Sequence, residues 1–295
     1  SITQHRRVGA DMKWKMGERT DVATVVYLDA ELPLIADRYD KCFKIEVRDA
    51  AMLPPLHQRL GEFKPIVESS KAKVFQNVWF RRAASSATDR EAIAQNIFAG
   101  LAKPGWSSIG PGYKDWHNPN VTKFPYDLAK AAEYLDRAGM TRRGSDGYRL
   151  TPDGKPFSFT INTNANNEQR VQIATLLAGA LQKLGINAAI QPLDFNSLLD
   201  KIQSSFEFDC IILGLGGGDV DQASNGNVYR SGGFTHVWAV KQPVTMTPDE
   251  AEVDKIFDSV QTGATLQERV AAMNRSDEIF CQQQFYIHTY VNTLF

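Results

Sequence analysis

The run from Phe157 to Asp219 constrains the fold more than any other part of the chain, because its apolar period changes from strand to helix and back without a break. Phe157, Phe159 and Ile161 alternate with polar residues, the spacing of a strand with one buried face. Asn166 or Asn167 is placed to cap the next helix, in which Ile173, Leu176, Leu177, Ala180, Leu181 and Leu184 fall on one stripe. Gly185 supplies the left-handed residue that ends it. Ile186, Ala188 and Ile190 alternate again, and Asp194 caps a short helix through Lys201. Cys210 to Leu213 is wholly apolar, which suits a strand covered on both faces. Strand–helix–strand units pair in parallel through right-handed crossovers. Phe157–Ile161, Ile186–Ile190 and Cys210–Leu213 are therefore expected as neighbouring central strands of an α/β fold. The last of them runs into Gly214-Leu-Gly-Gly-Gly-Asp219, and ligands in open α/β sheets sit beyond the carboxyl ends of strands.

Composition excludes several classes of function. With 33 basic and 34 acidic residues the formal net charge is −1, and no block of like charge interrupts the sequence. Electrostatics thus gives no reason to expect nucleic acid or an anionic membrane as a partner. No segment approaches the roughly 18 consecutive apolar residues of a transmembrane helix. Cys42, Cys210 and Cys281 are odd in number and far apart, which argues against a disulfide framework but leaves room for one bridge. Ser1-Ile-Thr-Gln-His-Arg-Arg7 does not read as a signal peptide, and both a mature and a cut terminus fit it.

Residues 1–74 carry the weakest pattern, with strand character at Thr24–Leu28 and Phe43–Val47, and are expected as a separate, partial unit. Residues 75–295 are expected to form the main lobe, a mixed sheet flanked by helices. Thr88 with Glu91 makes a capping box for a helix with Ile93, Ile97 and Phe98 on its apolar edge. A helix from about Leu128 to Ala138 closes at Gly139, and Thr151-Pro-Asp-Gly154 is a turn. Thr247-Pro-Asp-Glu250 opens a helix with Val253, Ile256, Phe257 and Val260 inward. Another begins near Thr265 with Val270, Met273 and Phe280 buried, followed by a strand from Phe285 to Val291.

The glycine turn fits none of the common nucleotide or metal loops. A dinucleotide fingerprint needs glycine at position 219, which is Asp219, and a helix directly after; a phosphate loop needs a lysine that is absent. An EF-hand fails because Ala223, Ser224 and Arg230 stand where a ligand, a glycine and a glutamate belong. No histidine or cysteine pair has metal-ligand spacing, so neither a metal nor a cofactor is indicated. Four glycines leave room for a ligand to approach the strand-end backbone of Gly214, Leu215, Gly216, Gly217 and Gly218. Trp106 and Trp116, close to His117 and Asn118, and Trp238 after His236, are candidate platforms for a sugar ring or an extended peptide; each is also an ordinary core aromatic. Asp194, Asp219 and Asp221 offer carboxylates for a hydrolase, although each has a capping or turn role. No nucleophile elbow is present, and Asp89 with Arg90 reads as a helix-terminal ion pair.

From Phe75 onward the chain resembles the large periplasmic solute-binding proteins of ABC importers, in the family that handles peptides, nickel, opines and some oligosaccharides. The residues that carry the resemblance come in the family's order. They are Phe75-x-x-Val-x-Phe-Arg-Arg-Ala83, Ala87-x-Asp-Arg90, Asp127-x-x-Lys-Ala131, Ala138-Gly139, Asp146-Gly-Tyr-Arg-Leu150 and Pro152-Asp-Gly-Lys-Pro156, then Leu184-Gly-Ile186, Phe208-Asp209, Thr235-His-Val-Trp238 and Glu250-x-x-x-Asp254. The resemblance implies a periplasmic binding protein-like fold with no catalytic residues and no cofactor. It also implies capture of a small peptide or oligosaccharide-like solute in a cleft that closes by hinge motion, and delivery to a membrane permease. A monomer in the periplasm or outside the cell is expected. Family members are longer than this chain, so a fragment or a missing internal portion is expected. The family lines its cleft with the turn after Phe208-Asp209, which implicates Gly214–Asp219 together with Asn225, Trp238, and Trp106 or Trp116. Peptide-binding members hold the ligand's amino group with an aspartate at the position of Gly218, and often carry tryptophan at that of Leu215. Those two departures weaken the peptide expectation and favour a neutral polyhydroxylated solute.

Overall fold

The computed structural model describes residues 70–214, 221–233, 236–238, 247–260 and 265–292. The contact pattern divides the chain between Ala72 and Lys73. The expected partial unit over residues 1–74 lies almost wholly outside the described residues.

Helices α1 (Ser70–Gln76) and α2 (Val78–Ser86) are separated by Asn77, whose Oδ1 accepts the Trp79 N–H at 2.9 Å. Helix α3 (Arg90–Ala92) continues as a π-helical turn, Ile93–Ile97. Its cap is Asp89, which accepts from Ala92 N–H at 2.9 Å, and not the expected Thr88. The Thr88 hydroxyl is spent on the preceding helix, donating to the Ala84 carbonyl, which leaves the next side chain to take the helix amide. Strand β1 (Ala102–Pro104) and a 3-10 helix (Pro111–Trp116) follow, then α4 (Leu128–Arg137), capped by Asp127 and closed by Gly139 at φ +85°.

Strand β2 (Ser158–Asn164), α5 (Glu168–Lys183), β3 (Asn187–Leu193), α6 (Phe195–Gln203) and β4 (Cys210–Ile211) then alternate as expected. Asn167 caps α5, Gly185 ends it at φ +82°, and Asp194 caps α6 through the Asn196 and Ser197 amides. The three strands form one parallel sheet in the order β3-β2-β4. A 3-10 turn (Gln222–Asn225), α7 (Gly226–Tyr229), α8 (Pro248–Ser259) and α9 (Leu266–Gln283) lead to β5 (Tyr290–Asn292). Thr247 and Thr265 cap α8 and α9.

Five expectations about strands and buried faces need correction. The parallel and antiparallel pairings do not share a sheet among the described residues: β5 pairs with β1 in a two-stranded sheet of its own. That pairing takes only the end of the apolar run, because Phe285 and Tyr286 turn into an aromatic cluster instead. Cys210–Leu213 is not covered on both faces; it is half-buried and, among the described residues, lies at one margin of the parallel sheet, with β2 in the central place. Leu176 and Ile190 are 41% and 36% exposed. Helix α5 packs through Ile173, Ala174, Ala178 and Leu181, so the buried stripe is centred on its alanines and Leu176 is turned off it. Ile190 lies on the other margin strand, where burial ends after Ala188.

Two cores result. The first joins Val74, Phe80, Leu135, Phe157, Phe159, Ile161, Leu181 and Ile186 across the parallel sheet and its helices. The second joins Ile109, Trp116, Val253, Phe257, Met273, Ile279 and Phe280 around α8 and α9. Cys210 and Cys281 are both unpaired thiols, and burial pushes the Cys210 pKa up to about 12.

The sheet makes a direct contrast testable. Ile161→Ala, at a fully buried site in the central strand, should cost about 2–5 kcal/mol, whereas Ile190→Ala should cost roughly 0.5 kcal/mol or less. Urea unfolding of both variants measures the difference.

Candidate functional site

The central strand of the parallel sheet ends, at its carboxyl side, in polar residues that are nevertheless buried. Asn162, Thr163 and Asn164 are 2%, 0% and 7% exposed. The Thr163 hydroxyl donates to the Ile212 carbonyl at 3.0 Å, and Ile212 N–H donates to the Asn162 carbonyl at 2.9 Å, so β2 and β4 stay tied to their ends. Asp209 Oδ2 accepts from Thr160 N–H at 3.1 Å. Asn164 Oδ1 accepts from Arg170 Nη1 at 2.8 Å, and its Nδ2 donates to Asn166 Oδ1 at 3.0 Å.

Gly214 is exposed just past β4, and Arg170 reaches it from the first turn of α5. A Cβ at Gly214 would overlap Arg170 Nη2, so glycine is what lets the guanidinium lie against the strand end. Arg170 was not among the residues that sequence pattern singled out. The available signal was a cation one turn into the helix that follows the strand. Leu215, Gly216, Gly217, Gly218 and Asp219 lie outside the described residues.

The tryptophans fall elsewhere. Trp116 is 6% exposed and belongs to the second core, so its ring is not offered to solvent there. Trp106 is half-buried with the Arg90 guanidinium 4.5 Å over its ring, and its carbonyl accepts from Cys281 Sγ. Trp238 packs with Phe280, Phe285 and Tyr286 at ring separations of 5.2, 5.3 and 4.9 Å, and with His236 at 3.6 Å. Asn225 is half-buried and donates to Gln222 Oε1 at 3.1 Å. Arg90 makes no ion pair with Asp89. It is 3% exposed and donates to the carbonyls of Ser85, Gly105 and His288 at 3.0, 3.0 and 2.7 Å.

Two of the three carboxylates weighed for hydrolysis are engaged, and the third, Asp219, lies outside the described residues. Asp194 caps α6 and accepts from the Ser197 hydroxyl, a bond that lowers its pKa. Asp221 caps the 3-10 turn and pairs with Arg269. Among the described residues no cluster of three or more His, Cys, Asp and Glu is placed to hold a metal.

A parallel sheet flanked by helices makes this an α/β lobe with the fold of the periplasmic binding proteins. Residues 54–235 match the family model described as bacterial extracellular solute-binding proteins, family 5 Middle, and the chain belongs to that family. A probable ABC transporter-binding protein of Deinococcus radiodurans is 33% identical over 56% of this chain and 29% of its own length. The oligopeptide-binding protein AppA of Bacillus subtilis is 31% identical over 50% of this chain and 27% of its own. Among solved structures, AppA in complex with a nonapeptide has a TM-score of 0.64 at 24% identity, covering 74% of this chain and 42% of AppA. An oligopeptide-binding protein from Thermotoga maritima with mannohexaose bound has a TM-score of 0.61 at 24% identity, covering 73% of this chain and 41% of that one. The chain thus spans well under half the length of these relatives.

The surroundings of these residues set two expectations. Truncation of Trp238 removes the middle of an aromatic cluster, so Trp238→Ala should lower stability by about 3 kcal/mol in thermal unfolding. Burial first, then the Arg90 charge, push the His288 pKa from 6.5 down to about 4. The folded state therefore holds His288 neutral where the unfolded chain takes up a proton. Its contribution is fully present above pH 6.5 and is lost as pH falls towards about 4. His288→Gln should flatten that part of the acid-stability profile, read from denaturation midpoints across the same window.

Proposed function

We propose that this chain is the solute-capturing part of an ABC importer, taking up a peptide or oligosaccharide-like solute and handing it to a membrane permease. It acts by binding and performs no chemistry. The observation that carries this reading is the carboxyl edge of the parallel sheet, where an exposed glycine lies beside a partly exposed guanidinium held by a buried amide. Open α/β sheets take ligands at that edge, and family membership makes a transported solute the ligand.

The names of the relatives bear on the substrate class. AppA is named an oligopeptide-binding protein, and the Thermotoga relative carries a mannohexaose, so one fold serves both chemistries. The protein works as a monomer in the periplasm or outside the cell and meets the membrane through its permease. No helix among the described residues is long and apolar enough to cross a membrane. A hydrolase has less support, since Asp194 and Asp221 are engaged in caps and an ion pair.

Mass spectrometry of the denatured, natively purified protein should detect an intact co-purified peptide or oligosaccharide. Incubation with a panel of both should yield no cleavage products. Product formation proportional to protein concentration would overturn the capture reading.

A further inference from the structure

We infer that the cavity between α9, α7 and the segment around Ser108 is a binding site for a small monovalent cation, held by the Asp277 carboxylate. The inference stands apart from the solute-capture reading and concerns the second core, whose residues Ile109, Tyr229, Met273 and Phe280 enclose the site.

Asp277 projects from α9 and is 2% exposed. Its Oδ1 accepts from the Ser108 hydroxyl at 2.9 Å, but its Oδ2, also buried, meets no protein donor. The Ser107 hydroxyl lies close enough to favour the carboxylate, yet it is committed to the Ile109 carbonyl at 3.2 Å. Among the described residues no lysine, arginine or histidine forms an ion pair with Asp277. His117 acts on it only at a distance, with its Nδ1 held 2.6 Å from the Ile109 carbonyl. Glu250, the other buried carboxylate among the described residues, is better met. It has His236 Nε2 at 3.6 Å and accepts from the Thr247 hydroxyl at 3.0 Å. A buried carboxylate without a cation is costly, so it takes up either a proton or a counter-ion. Burial does raise the Asp277 pKa, but the serine hydroxyls oppose the rise by favouring the charged form.

The orphan oxygen has space beside it. Asp277 lines a cavity of about 10 Å³, room for a particle the size of one water molecule, together with Ser108, Ser276, Tyr229 and Gln222. Oδ1 is taken by Ser108, which leaves Oδ2 as the carboxylate oxygen available to that space. The other buried side-chain atoms without a protein partner, on His236, Trp238, Asn274, Gln284 and Tyr286, do not line it. The hydroxyls of Ser108, Ser276 and Tyr229 add neutral oxygens, and burial pushes the Tyr229 pKa up to about 12, so the phenol stays uncharged. An all-oxygen lining selects a hard cation. One carboxylate balances one positive charge, whereas calcium or magnesium would need more oxygens or retained waters than so small a space admits. Potassium and ammonium are close to water in size and fit directly; sodium requires the oxygens to close in.

Thermal unfolding of the purified chain in potassium, ammonium, sodium and choline chloride at equal ionic strength tests the site, since choline is too bulky to enter. At roughly 100 mM, potassium or ammonium should raise the midpoint by about 2–4 °C over choline, and the rise should saturate. The cation giving the largest rise is the ion the site prefers. Asp277→Asn keeps an acceptor for Ser108 and removes the charge, and it should abolish the rise. Tyr229→Phe keeps the ring and removes one oxygen, and it should increase the half-saturating concentration several-fold. Should Asp277→Asn fail to fold by circular dichroism, the Tyr229→Phe response decides, and an unchanged one overturns the inference. Equal midpoints in all four salts mean that the cavity holds water only and overturn it as well. So does a rise that survives in a folded Asp277→Asn, which places the cation elsewhere.

Discussion

The buried guanidinium of Arg90 is the interaction on which much of the described unit depends. Among the described residues it pairs with no carboxylate; its donors go to the main chain of segments far apart in sequence, at Ser85, Gly105 and His288, with a side-chain bond to Ser85 Oγ at 2.9 Å. A cation in that position is costly unless every donor is met, so those carbonyls must converge for the fold to form. Burial lowers its pKa to about 10, which still leaves it charged in neutral solution. The convergence fixes β1 beside the turn before β5 and holds Trp106 against the underside of the guanidinium. Arg149 repeats the device at the other end, joining α4 to the end of α5 through the Met140 and Leu184 carbonyls.

Around these two cations the apolar residues sort into two cores, and the sorting decides what the strand ends can do. The first core clamps β2 between helices, so its last residues are buried although they are polar. Buried amides must be hydrogen-bonded, and Asn162 and Asn164 meet that demand through Gln191, Arg170 and Asn166. Polar groups that are both buried and oriented make a rigid rim, which is the condition for recognising a ligand without first paying to order the site. Two of the candidate platform tryptophans serve the second core instead. Trp116 and Trp238 stabilise the packing of α8 and α9, and their placement follows from area, since large rings are buried wherever a core is available.

Membership of the family 5 solute-binding proteins agrees with this division between a packed scaffold and a prepared strand edge. Identity to the solved structures is below 25%, so the likeness carries the fold, while side chains at the strand ends are free to differ. Specificity in such a family resides in a few residues on a shared frame.

Local hydrogen bonding was legible from sequence. The caps Asn167, Asp194, Thr247 and Thr265, the left-handed Gly139 and Gly185, and the strand–helix alternation from Phe157 to Ile211 all depend on residues a few positions apart. Thr88 and Asp89 mark the limit of that reading, because two adjacent caps compete and a carbonyl of the preceding helix chose between them. Side-chain environment was not legible. Leu176 and Ile190 share the period of their buried neighbours, yet only the packing of α5 through its alanines and the margin position of β3 turn them to solvent. Arg90 read as the partner of Asp89, whereas its actual partners lie as far away as His288. Nothing in the residues around Arg170 announced that Gly214 would lie against it. Sequence by itself thus determined where elements begin, end and alternate, since those choices are made by backbone groups within one turn. Tertiary structure alone decided which cations are buried and which remain open, because that depends on carbonyls and missing side chains brought together from distant parts of the chain.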